Sequence, residues 1–101
     1  MKIRIKFRKY GTMKFIGHLD VMRYFQKAIR RSEVNIRYSE GFSPHQIMSF
    51  AAPLGVGITS KGEYVDIEVL DTENSKKMID RLNAVMSEGF EILEYKLLPD
   101  D

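Results

Sequence analysis

Lys2-Ile3-Arg4-Ile5-Lys6-Phe7-Arg8-Lys9 alternates apolar and basic side chains from Lys2 to Arg8. A period of two is that of a β-strand, with Ile3, Ile5 and Phe7 facing a core and Lys2, Arg4, Lys6 and Arg8 facing water. Tyr10-Gly11-Thr12 ends the alternation, and from about Gly17 to Arg31 the period changes. Leu19, Met22, Phe25, Ala28 and Ile29 recur at three- and four-residue spacing, which predicts an amphipathic helix with Arg23, Lys27, Arg30 and Arg31 turned outward. The cations near its end suit the negative pole of the helix dipole.

Working outward, residues 32–45 read as a long irregular segment containing Tyr38-Ser39-Glu40-Gly41-Phe42-Ser43-Pro44. Loops of this length inside a small domain are uncommon and often functional. Residues 46–52 read as a strand closed by Pro53, and Gly55, Gly57 and Gly62 loosen the next connection. Residues 63–70 alternate again, with Val65, Ile67 and Val69 on one face and Tyr64, Asp66 and Glu68 on the other. The stretch 71–75 offers N-cap residues for a second helix, whose stripe is Met78, Ile79, Leu82, Val85 and Met86, with Gly89 as its stop. Residues 90–98 form a last strand. The order β-α-β-β-α-β predicts an α+β, two-layer sandwich of ferredoxin-like type: a four-stranded antiparallel sheet with two helices on one face. The first and third strands are then central neighbours, and the basic residues of the first face Tyr64, Asp66 and Glu68. Opposite charges across such a pair contribute about 0.2–1 kcal/mol each.

The chain of 101 residues is one domain's worth, with 44% hydrophobic and 30% charged residues, the balance of a globular protein. It has no cysteine, which excludes disulfides, thiolate nucleophiles and iron–sulfur ligation by this chain, so no cofactor of that kind is expected. Without a continuous apolar run at its start, neither a signal peptide nor a membrane span is expected, and the location predicted is cytoplasmic. The net charge of +2 conceals a split: residues 1–37 carry a balance of +9 and residues 38–101 one of −7. The first half either meets a polyanion or is neutralised by the second half on folding.

Candidate chemistry is sparse. Gly17-His18-Leu19-Asp20 places a histidine beside a carboxylate, the pattern of an oriented general base, although Asp20 also serves a first helical turn. Ser39, Glu40, Ser43 and His45 include the residue types of a nucleophile–base pair without a recognisable spacing. Two histidines and scattered carboxylates make no metal-ligand pattern, so no metal is expected. Pro53-Leu54-Gly55-Val56-Gly57 has no following helix N-terminus to complete a phosphate cradle.

Four blocks in order carry a resemblance: Phe15 to Arg23, Arg37 to His45, Met48 to Gly57 and Glu63 to Glu68. Together they resemble a radical SAM-linked bacterial family of unknown function, with Gly17 where the family more often has Ser and Gln46 where it often has Pro. The resemblance implies the N-terminal half of a longer family domain, partnered by or fused to a radical S-adenosylmethionine enzyme. It defines no catalytic residue. It marks a candidate surface of His18, Asp20, Arg23, Tyr38, Ser39, Glu40, Gly41, Phe42 and Pro44. With the basic helix, it makes an accessory or substrate-binding domain presenting RNA the leading expectation. The alternatives are a protein-interaction module docking through 38–45 and Phe42, and a metal-independent RNA-processing enzyme using His18 with Asp20.

Overall fold

The computed structural model describes residues 1–50 and 62–99. Strand β1 (Lys2–Lys9) leads through a short 3-10 turn (Gly11–Phe15) into helix α1 (His18–Ser32). Then follow β2 (Met48–Phe50), β3 (Glu63–Glu68), α2 (Ser75–Val85) and β4 (Phe90–Leu97). The strands form one antiparallel sheet in the order β2-β3-β1-β4, so β1 and β3 are the central pair, as expected from the order of elements. Ile3, Ile5 and Phe7 from β1 and Val65 and Ile67 from β3 share one core with Phe25 and Ile29 of α1 and Met78 and Leu82 of α2. Two helices thus cover one sheet face.

Several expectations shift on folding. The buried stripe of α1 is Val21, Phe25, Ala28, Ile29 and Ser32, while Leu19 is 58% exposed. Positions 19 and 21 lie about 200° apart around a helix, so only one of them faces the sheet. Of the strand expected at 46–52, Met48–Phe50 is a strand and Gln46 stands in an isolated bridge to Tyr38, while residues 51–52 fall outside the described residues. Likewise β3 ends at Glu68, with Val69 bridging Ile36. Helix α2 is capped by Asn74, whose side chain accepts from the Lys77 amide at 2.9 Å, and it ends before Met86, which is extended. Gly89 is therefore no helix stop. With φ at +105° it turns the chain into β4, and a Cβ there would overlap Met13 Cγ.

Strand β4 does not follow a simple alternation. Lys6 pairs with Glu94 but Phe7 with Ile92, so the register slips by one residue at Leu93. That bulge lets Phe90, Ile92 and Tyr95 all reach the core. The outer edge of β4 is closed locally by Asn83, whose side chain accepts from the Ile92 amide at 2.8 Å and donates to its carbonyl at 3.1 Å.

Candidate functional site

Most of the basic residues of the first 37 positions fall into two groups. On the open sheet face Arg4 grips Asp66 with two hydrogen bonds, at 2.9 and 3.1 Å, and this contact holds its guanidinium above the ordinary pKa. Arg8 pairs not with β3 but with Glu91 of β4, and Arg37 with Glu68 at 3.3 Å, while on the helix-covered side of the sheet Lys9 pairs with Glu63 at 3.3 Å. Lys6 lies 6.0 Å from the Tyr64 ring. The face thus forms a shallow concavity of about 550 Å³, lined by Arg4, Lys6, Tyr64, Asp66, Glu94 and Lys96, with both charge signs interleaved. Much of the charge split in the sequence is cancelled here.

Helix α1 keeps its charge. Arg23, Lys27, Arg30 and Arg31 are all exposed. Among the described residues Lys27, Arg30 and Arg31 make no ion pair, and Arg23 reaches only Asp20, at 3.9 Å. The helix holds these cations because its opposite face is anchored in the core and its C-terminus is closed from outside. Ser32 Oγ donates to the Ile29 carbonyl at 2.8 Å, and Glu33 adopts the left-handed conformation, φ 59°. Arg81 of α2 then donates to the carbonyls of Ser32 at 2.6 Å and Glu33 at 2.8 Å. A cation from a neighbouring helix thus satisfies carbonyls that α1 itself leaves without partners. Lys27 and Arg31 flank a small groove of about 80 Å³ between the helices.

The segment expected to be irregular builds an arm instead. Tyr38 bridges Gln46, the Ser39 amide donates to the His45 carbonyl at 2.8 Å, and the His45 amide donates to Ser39 Oγ at 3.1 Å. The same hydroxyl lies 3.1 Å from His45 Nδ1. These contacts close a turn in which Gly41 has φ +119°, Glu40 and Pro44 are exposed, and Phe42 at the tip is 109% exposed. The base of the arm is tied to α1: Gln46, 4% exposed, donates from Nε2 to the Gln26 carbonyl at 3.2 Å.

The structure does not gather the candidate residues into one cleft. His18 is exposed and sets its ring edge-on to Phe50 at 5.4 Å. Among the described residues no hydrogen bond or ion pair joins it to Asp20, Tyr38, Glu40 or His45. Phe50 lies beyond Met48 in β2 whereas the arm closes ahead of β2 at Gln46, so His18 and the arm sit at separate places along that edge. What the structure does bring together is the arm and the cationic helix, through Gln46 and Gln26. Sequence reasoning missed Gln46, Gln26 and Arg81, whose roles rest on contacts between distant residues that no local pattern announces.

Among the described residues no group of three or more His, Cys, Asp or Glu could hold a metal ion, and no helix is long and apolar enough to cross a membrane. Fold and surface together define a small α+β domain with a balanced sheet face, a cationic helix and a projecting aromatic arm. The chain belongs to the bacterial family described as "uncharacterized protein conserved in bacteria (DUF2344)", which matches residues 2–101. No curated protein and no solved structure matches it.

Proposed function

We propose that this chain is a cytoplasmic, non-catalytic substrate-binding domain that presents RNA to a radical SAM enzyme, with phosphates meeting the outer face of α1. One observation carries the reading. The cations of β1 are largely matched by acids or an aromatic ring, whereas Lys27, Arg30 and Arg31 have no acidic partner among the described residues. A row of unpaired cations on a rigid helix suits the evenly charged backbone of a nucleic acid. The enzyme partner rests on the sequence resemblance, and it is tested by whether adding this chain raises modification of a bound RNA by the purified enzyme.

The RNA reading is tested by titrating labelled RNA at several salt concentrations. Three or four phosphate contacts give a slope of log affinity against log salt of about −2 to −3 for a single strand. The triple variant Lys27→Glu, Arg30→Glu, Arg31→Glu should lose both the affinity and the slope. Binding that is absent, or indifferent to salt, overturns the proposal. A second reading, a protein-docking module, is favoured by the full exposure of Phe42. It fails if a purified partner binds Phe42→Ala as tightly as wild type.

A further inference from the structure

We infer that the arm and α1 form one site for single-stranded RNA, in which Phe42 is a platform for an unstacked base and the α1 cations hold the neighbouring phosphates. The inference rests on the reading of α1 as a phosphate-binding face and adds the substrate class to it. Leaving a phenyl ring wholly in water is unfavourable, and a flexible tail would let it fold back on the surface. Here the backbone beneath it is fixed by the Ser39–His45 contacts and the Tyr38–Gln46 bridge, so the ring is held outward before any ligand arrives. A preformed aromatic saves the ordering cost of binding.

Position supplies the second argument. Phe42 is four residues from Gln46, a reach of at most about 14 Å, and Gln46 is hydrogen-bonded to the Gln26 carbonyl of α1. Gln26 shares one side of α1 with Arg23, three residues before it, and Arg30, four residues after it, while Lys27 and Arg31 continue the cationic surface toward α2. An aromatic tip within a short reach of a cationic helix is the combination that single-strand binders use, stacking bases while basic residues track the backbone. The arm's own charge assigns the parts. Glu40 is exposed two residues from Phe42 and repels phosphate, so a base rather than the backbone lies on the arm. A duplex keeps its base faces stacked and offers none to Phe42, which makes the single strand the substrate.

The test compares a labelled oligouridine with an abasic oligomer of equal length and charge. Wild type should bind the base-bearing strand about 5- to 150-fold more tightly, the range measured for one stacked base. Phe42→Ala should lose that preference while its salt slope stays unchanged, because the phosphates still meet α1. Phe42→Tyr should keep the preference, and Phe42→Leu, apolar but without a π-face, should lose most of it. Phe42 is fully exposed, so all three variants should melt with wild type. Salt-dependent binding with equal affinity for both strands, or a preference that survives Phe42→Ala, overturns the inference alone and leaves Phe42 as a protein contact. Wild type that binds neither strand overturns the inference together with the RNA reading.

Discussion

Replacing Arg81 with methionine keeps an unbranched, helix-compatible side chain in α2 but removes both donors that close α1. The guanidinium sits 2.6 Å from the Ser32 carbonyl and 2.8 Å from that of Glu33. A hydrogen bond from a charged donor contributes about 1.5–3 kcal/mol net, and the lower end applies here because the Glu33 contact is solvent-exposed. A cation at a helix C-terminus adds about 0.3–1 kcal/mol. Water satisfies part of what is lost, so the expected destabilisation is about 2–3 kcal/mol. At roughly 4–5 °C per kcal/mol for a chain of this length, the melting temperature falls by about 8–15 °C. Thermal unfolding by circular dichroism measures it, and hydrogen exchange should show the extra opening concentrated at the amides of the last turn of α1. Arg81→Lys should recover only part of the loss, since an ammonium does not reproduce the two-pronged geometry. If Arg81→Met melts within about 2 °C of wild type, roughly 0.5 kcal/mol, water caps the helix as well as Arg81 does and the reasoning fails.

Gly89→Ala should destabilise by about 2 kcal/mol or more, from positive-φ strain and the overlap with Met13. Met13→Ala in the same chain should relieve only part of this, because Met13 Cβ itself lies 2.8 Å from the added atom and the φ of +105° persists; urea melts of the two variants separate the contributions. Asn83→Ala should cost about 1–3 kcal/mol by leaving the Ile92 amide and carbonyl without partners. It should also expose the β4 edge to concentration-dependent self-association visible by sedimentation. Burial holds the Tyr95 hydroxyl above its ordinary pKa, against the hydrogen bond to Thr72, which lowers it. Because the folded value is the higher one, Tyr95's contribution is complete below the unfolded pKa of about 10 and is lost as pH rises from there toward the folded value. Stability measured above about pH 10 should therefore fall more steeply in wild type than in Tyr95→Phe.

The candidate site was only half legible before folding. Arg23, Lys27, Arg30 and Arg31 stood out as an exposed row because helical spacing alone turns them away from Phe25 and Ile29. Phe42 was visible as an apolar residue among turn formers. That these two features adjoin was not visible, since Gln46 meets Gln26 across a separation of 20 residues. The pairing of His18 with Asp20 meets the same limit. Adjacency in sequence put a base beside a carboxylate, but in the folded chain Asp20 leans toward Arg23 and His18 toward Phe50.

The order of elements and the greasy side of each layer follow from periodicity, a property of neighbours along the chain, and the central pairing of β1 with β3 follows from the topology that this order suggests. Other features depended on which surfaces meet. The helix buries Val21 rather than Leu19 because its azimuth is set by the sheet beneath it. The bulge at Leu93 exists because β4 must present Phe90, Ile92 and Tyr95 to one core. Most decisive is the fate of charge. Sequence showed an excess of cations in the first third of the chain, but only the strand register could cancel Arg4 against Asp66 and Arg8 against Glu91 while leaving α1 bare, because Coulomb attraction acts over a few ångströms of space and takes no account of position along the chain.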